Sequence, residues 1–262
     1  MNQECYMGSL TISPIHAFSD NYIWLIHDER EAYVVDPGDA VPVLATLEQS
    51  QLTLSGILIT HHHYDHTGGV AELQNSTGCK TWGPENSPGG PYDHTLHEGA
   101  DVNVLGVEFS VLAVPGHTLD HIAFYSASEE VIFCGDTLFV GGCGRVFEGS
   151  PPQMRQSLEK LRQLPPQTRV FCAHEYTLAN LHFARLVEPS NQRLEAFLEH
   201  CEQRRRDSLP TVPSLLGAEC EYNPFLRWDS PAVLATLREQ GRLEDDTYDA
   251  VFTAVREWKN QA

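Results

Sequence analysis

Basic residues are scarce in this chain. Lysine and arginine total 17 of 262 residues against 36 aspartates and glutamates, for a formal net charge of −19, and only Lys80, Lys160 and Lys259 are lysines. Such a surface repels nucleic acid and anionic membranes at long range, so neither is expected as a partner. No stretch approaches the ~18 consecutive apolar residues of a transmembrane helix. The opening MNQECYMGSLTISPIHAF has no Lys or Arg and no long apolar block. It therefore reads as neither a secretory nor a mitochondrial leader, and a cytoplasmic location is expected. The seven cysteines (Cys5, Cys79, Cys134, Cys143, Cys172, Cys201 and Cys220) are odd in number and form no CxxC pair. They read as reduced thiols rather than a disulfide framework. With 41% hydrophobic residues the chain is globular, and its length allows a sizeable core.

Strand-like and helix-like stretches alternate over the first two-thirds. NYIWLI (21–26) and EAYVVDPG (31–38) predict an early hairpin. VPVLATLEQS (41–50) predicts a helix, GILIT (56–60) a buried strand, GGVAELQNS (68–76) a helix and KTWGP (80–84) a further strand. A second strand set follows in DVNVLGVEFSVLAVPGH (101–117), IAFYS (122–126) and EVIFCGDTL (130–138). A helix, PPQMRQSLEKLRQL (151–164), then leads to the strand TRVFCAH (168–174). Loops are expected at 83–94 and 140–152. From about Thr177 onward the apolar residues recur only at helical spacing. The expectation is a mixed α/β domain over 1–175, whose strand-rich stretches 9–84 and 98–173 suit two halves of a sandwich, and a small α-helical domain over 176–262.

One short segment is crowded with titratable groups. Directly after GILIT, the residues HHHYDH place His61, His62, His63, Asp65 and His66 within six positions. Repulsion between partly protonated imidazoles makes this costly unless a cation binds. Alternate residues of an extended segment point the same way, so His61 and His63 converge on one point. Asp65 and His66 begin the next turn and face a second point. Three further ligand types end later strands: His117 after LAVPG, Asp136 after VIFCG and His174 after VFCA. Strand C-termini gathered at one sheet edge are where sites are built. The seven together exceed what one zinc takes, about four ligands when structural and three plus water when catalytic. Two ions about 3.5–4 Å apart with a shared carboxylate account for them all. His61, His63 and His117 would hold the first metal and Asp65, His66 and His174 the second, with Asp136 bridging. His62 is expected to point away. His121 suits a supporting or structural role, and Asp36, in VVDPGD, either orients a ligand or forms a turn.

The HxHxDH pattern with downstream His, Asp and His resembles the metallo-β-lactamase superfamily. THHHYDHTGG, PGHTLDHI, GDTLFVGGCGR with FEG, AHEYT and the ending VREWK resemble, more narrowly, glyoxalase II, the hydroxyacylglutathione hydrolases, over essentially the whole chain. The resemblance implies an αββα sandwich with a C-terminal helical domain. It implies hydrolysis of S-D-lactoylglutathione to glutathione and D-lactate, the second step of methylglyoxal detoxification. It further implies two divalent metals, zinc first, with iron or manganese as alternatives. The family's glutathione contacts fall on Arg145, Tyr176, Arg256 and Lys259. Two departures stand out. A family tyrosine falls on Phe147, which lacks the hydroxyl, and Asp120 stands where the family often has glycine.

The chemistry implied is attack on the thioester carbonyl by hydroxide formed near neutral pH, with Asp65 and Asp136 as the catalytic carboxylates. A thiol of pKa near 8.5 leaves as thiolate without a strong general acid. The substrate's carboxylates require a local basic patch on an acidic protein. Arg256 and Lys259, three apart on a predicted helix, share a face for it, whereas Arg204, Arg205 and Arg206 read as a solvated face. A monomer acting on a small molecule is expected. The alternative within the superfamily, a glutathione persulfide dioxygenase with one iron, would not need Asp65, His66 and His174 together.

Overall fold

The structure is a computed structural model that describes residues 5–7 and 10–262, with side chains from Leu10 onward. The Cys5 side chain lies outside the described residues. By internal contacts the chain divides into two compact units, the first running to Ala113 and including Asp120–Gly135, the second comprising Val114–Leu119 and Asp136–Ala262.

The first unit contains β1 (Cys5–Met7), β2 (Leu10–Ala17), β3 (Asn21–His27), β4 (Glu31–Val35), α1 (Ala40–Ser50), β5 (Thr53–Leu58), α2 (Tyr64–Thr67), α3 (Val70–Thr77), β6 (Lys80–Pro84) and β7 (His94–Leu96). These seven strands form one sheet in sequence order. The pairs from β1 to β4 are antiparallel, and those from β4 to β7 are parallel. Parallel neighbours need a crossover, which α1 and α3 supply for the first two parallel pairs. Helix α1 starts where the Asp39 side chain accepts from the Val41 backbone N–H at 2.9 Å, an N-cap that satisfies one otherwise orphaned donor. Ile15, Ile23, Val34, Val43, Ile57 and Leu73 bury the sheet face under these helices. The unit ends in an antiparallel meander of β8 (Asp101–Val104), β9 (Val107–Ala113), β10 (Ile122–Ser126) and β11 (Val131–Gly135).

The second unit contains β12 (Leu138–Phe139), β13 (Gly142–Cys143), α4 (Pro151–Arg162), β14 (Arg169–Cys172), α5 (Thr177–Val187), α6 (Gln192–Arg206), β15 (Ser214–Leu215), α7 (Leu216–Tyr222), a 3-10 turn at Pro224–Leu226, α8 (Pro231–Glu239) and α9 (Tyr248–Gln261). Helix α4 begins with a capping box between Ser150 and Gln153 and two prolines at its first positions, where a missing N–H costs nothing. The apolar stripes of α5, α6 and α7 meet in a cluster that includes Leu181, Leu194, Leu198 and Tyr222.

Two expectations need correction. Residues 140–152 are not wholly loop, because Gly142–Cys143 pairs with Leu138–Phe139 in a tight hairpin. The tail is not purely helical either, since Ser214–Leu215 pairs with Arg169–Val170. Both strands have two residues, too few for a period to show, and pairing with a distant strand creates the second. None of the six cysteines with described side chains is in a disulfide, and burial pushes the thiols of Cys172 and Cys201 up to about 12. Among the described residues no helix is long and apolar enough to cross a membrane.

Candidate metal centre

In the first unit the crowded segment leaves the end of β5 and enters α2. The His61 ring lies 4.8 Å from that of His63 and 4.1 Å from that of His66. His61 and His66 are fully buried. The hub is Asp36, in the turn after β4. Its Oδ1 accepts from the Thr60 backbone N–H at 2.7 Å. Its Oδ2 accepts from Thr60 Oγ1 at 2.7 Å and from His66 Nδ1 at 3.0 Å. Thr60 Oγ1, its proton committed to Asp36, accepts in turn from His61 Nδ1 at 3.0 Å. Asp36 thus orients His66 directly and His61 through one hydroxyl, fixing both tautomers. It does so at a φ of +53°, in the left-handed region that aspartate tolerates better than most residues. The turn must also come close to α2, because a Cβ on Gly38 would lie 1.9 Å from the Asp65 carbonyl oxygen. Thr60 was not singled out in the sequence, although its place between strand and first histidine was the available signal.

Nδ1 carries the proton in both rings, so in the neutral imidazoles Nε2 presents a lone pair. His66 Nε2 faces Asp65 Oδ2 at 3.4 Å. Asn21 Nδ2 holds that carboxylate by donating to Oδ2 at 3.1 Å. His62 turns to Asp120, whose Oδ1 lies 2.9 Å from His62 Nδ1 and whose Oδ2 accepts from Ser87 Oγ at 2.6 Å. Asp120, the departure noted above, therefore ties the loop between β6 and β7 to the histidine segment. His121 stacks on His61 at 4.6 Å and 15° and sets its own Nδ1 against the Ile122 carbonyl at 3.0 Å. It backs that ring as a wall.

The second unit holds His117, Asp136 and His174. His117 Nδ1 donates to the Arg145 carbonyl at 2.7 Å. A carbonyl can only accept, so here too Nε2 holds the lone pair. That Nε2 lies 3.4 Å from Asp136 Oδ2, while His174 Nε2 lies 3.3 Å from Asp136 Oδ1. One buried carboxylate thus offers each oxygen to a different imidazole. An acceptor facing an acceptor is repulsive unless a proton or cation lies between them, and the donor set of imidazoles and carboxylates suits a divalent ion of the zinc, iron or manganese kind. In the first unit Asp36, His61 and His66 also present potential ligand atoms within 4.8 Å of one another. Clusters able to bind metal ions are therefore built into this fold.

The four expected substrate contacts lie in the second unit, in unequal surroundings. Arg145 is exposed, its guanidinium 6.0 Å above the Phe147 ring. Phe147 is itself exposed and edge-on to His117 at 5.3 Å. Tyr176, 39% exposed, stacks on His174 at 4.7 Å with only 4° between the rings. Arg256 is buried over Phe225, with NH1 donating to the Cys143 and Gly144 carbonyls at 3.1 and 3.4 Å and a buried Nε that has no protein partner. Lys259 donates to the Ala179 carbonyl at 3.2 Å. Burial, then the Arg256 charge, lowers its amine to about 8.

Comparison with known proteins identifies the family. The model of the metallo-β-lactamase superfamily matches residues 18–174, and that of the hydroxyacylglutathione hydrolase C-terminus matches residues 175–262. The hydroxyacylglutathione hydrolase of Chromohalobacter salexigens is 49% identical, covering 96% of this chain and 99% of its own. That of Idiomarina loihiensis is 48% identical, covering 97% and 100%. Among solved structures, BLEG-1 B3 metallo-β-lactamase superposes with a TM-score of 0.62 at 23% identity, covering 86% of this chain and 99% of that one. TTHA1623 in a di-iron-bound form reaches 0.59 at 26% identity, covering 81% and 99%. The architecture is accordingly the αββα sandwich of that superfamily followed by a helical C-terminal region. With the two models together matching residues 18–262 and relatives nearly half identical over almost their full length, the chain belongs to the hydroxyacylglutathione hydrolase, or glyoxalase II, family of the metallo-β-lactamase superfamily.

Proposed function

We propose that this chain hydrolyses S-D-lactoylglutathione to glutathione and D-lactate, using two divalent ions held by His61, His63 and His117, by Asp65, His66 and His174, and by a bridging Asp136. The observation that carries the reading is the Asp136 carboxylate, with one oxygen facing His117 Nε2 and the other facing His174 Nε2. The relatives' name specifies the hydroxyacylglutathione substrate, and the di-iron form of TTHA1623 supports a two-metal count. Zinc is the expected metal, and iron or manganese would suit the same donors.

Bound ions would supply hydroxide near neutral pH and polarise the thioester carbonyl. The rest falls to the chain. Asp36 and the Arg145 carbonyl keep His61, His66 and His117 in the tautomer that presents Nε2. Asn21 holds Asp65. Residues 1–175 would carry the chemistry and 176–262, with Arg145, would hold the substrate. Arg145, Arg256 and Lys259 offset its carboxylates, and Tyr176 supplies an exposed ring beside His174. The thiolate leaves unassisted, its pKa being near 8.5. Reduced cysteines suit a cytoplasmic location. The test is a panel assay with metal analysis. S-D-lactoylglutathione should exceed nitrocefin, a phosphodiester and glutathione persulfide in kcat/KM, with about two metals per chain at full activity. A higher value for any competitor overturns the reading.

Surroundings predict a split between the two basic residues of α9. Lys259→Ala should raise KM about tenfold and leave kcat nearly unchanged, the mark of lost uniform binding. Arg256→Ala should lower kcat as well, because its guanidinium also holds the Cys143 and Gly144 carbonyls. Steady-state kinetics separate the two.

A pH effect follows from the same lysine. An amine lowered to about 8 loses its charge as pH rises through that value. Attraction for a substrate carboxylate then weakens, so kcat/KM, which reports the free enzyme, should fall above pH about 8. Lys259→Arg should remove that limb. A profile identical in wild type and Lys259→Arg would remove Lys259 from the binding site.

A further inference from the structure

We propose that Glu219 and Asn223 are positioning residues for His117 and Asp136, acting through the loop 139–145; the proposal rests on the metal-site reading above. This loop, FVGGCGR, meets both side chains' neighbourhoods. Its Arg145 carbonyl accepts from His117 Nδ1 at 2.7 Å. Its Gly144 lies so close to Asp136 that a Cβ would stand 1.9 Å from the Asp136 carbonyl oxygen and 3.2 Å from His117 Nδ1. A shift of the loop therefore moves the group that sets the His117 ring and the backbone that carries Asp136.

Three of the loop's seven residues are glycines, which leaves few side chains to anchor it by apolar packing. Phe139, Val140 and Cys143 are buried, and buried polar groups from the helical tail hold its backbone besides. Asn223 Nδ2 lies 3.2 Å from the Phe139 carbonyl and 3.0 Å from that of Gly142. Glu219 Oε2 accepts from the Gly141 N–H at 2.9 Å and from Asn223 Nδ2 at 3.0 Å. Tyr222 donates to Glu219 Oε1 at 3.0 Å, and Asn180 Nδ2 donates to the Val140 carbonyl at 3.1 Å. Glu219 and Asn223 are both fully buried. Burying a carboxylate is costly unless donors surround it, and these donors include the loop's own backbone. Such a brace specifies direction as well as distance, which apolar contact does not.

The test uses the full chain, stripped with chelator and reloaded with zinc. Zinc affinity is read by chelator competition, ligand geometry by the visible spectrum of the cobalt-substituted protein, and stability by thermal unfolding without metal. Glu219→Ala and Asn223→Asp should weaken zinc binding about tenfold or more, alter the cobalt spectrum, and lower kcat while KM stays near wild type. Glu219→Gln should rescue. Its amide oxygen can still accept from Gly141 and Asn223, and its NH2 can face a Tyr222 hydroxyl turned to accept. Leu198→Ala, in the apolar helical cluster, serves as the control that lowers stability without touching the loop. It should keep wild-type zinc affinity. If Leu198→Ala weakens zinc as much as Glu219→Ala, or Glu219→Ala binds zinc like wild type, the proposal is overturned. Should Glu219→Ala not fold, Asn180→Ala frees only the Val140 carbonyl and should cost about threefold, and an unchanged affinity there also overturns it. A wild-type chain that takes up no zinc, iron or manganese would instead sink the metal-site reading.

Discussion

Asp136→Ala should lower kcat/KM by about three orders of magnitude and leave the protein unable to retain two metals. Each supporting partner of a metal ligand is typically worth about 10- to 100-fold, and a carboxylate shared between two ions acts on both. Its oxygens face His117 Nε2 at 3.4 Å and His174 Nε2 at 3.3 Å, and the residue is 7% exposed, so bulk water is a poor replacement. Asp136→Asn is the informative companion. It keeps the shape but turns one oxygen into an NH2, which cannot bind a cation. One ion should be weakened far more than the other. His174→Ala should likewise affect mainly one ion. Elemental analysis beside steady-state kinetics reads all three variants. An Asp136→Ala protein with two metals and wild-type turnover would exclude the bridge.

The second large effect concerns Asp36, which touches no substrate. Asp36→Ala leaves the Thr60 N–H, the Thr60 hydroxyl and His66 Nδ1–H without their shared acceptor, inside a region where Asp36 is 4% exposed. A buried donor left unsatisfied costs about 1–3 kcal/mol, so a loss of roughly 3–5 kcal/mol in the metal-free protein is expected. Asp36→Asn separates folding from ligand orientation. With its oxygen kept toward the Thr60 N–H, its NH2 faces His66 Nδ1 and favours the opposite tautomer, in which Nε2 carries the proton and no longer offers a lone pair. Metal affinity should therefore fall about 10- to 100-fold while the midpoint of thermal unfolding drops much less than for Asp36→Ala. Equal metal affinity in wild type and Asp36→Asn would mean that tautomer control is not its role.

What the sequence determined by itself was the set of groups spaced by local chain geometry. His61 and His63 alternate on one extended segment, Asp65 and His66 open the following turn, and His117, Asp136 and His174 each follow an apolar run. Those relations depend on neighbours a few residues apart, where backbone periodicity decides direction. Most longer strands and helices were legible for the same reason, whereas β1, β2, β7, α7 and the two-residue strands at Gly142–Cys143 and Ser214–Leu215 were not read individually. What only the tertiary structure decided was the partner of each group. Asp36 reaches Thr60 across 24 residues and His66 across 30. His62 meets Asp120 across 58, and Asn223 meets Phe139 across 84. No local period links such positions. Arg256 and Lys259 share a helix, as their spacing required, yet one is buried over Phe225 and the other lies against Phe183 with its amine lowered to about 8. Spacing along a helix sets which way a side chain points. How much water and which carbonyls it finds there depends on chain folded in from elsewhere.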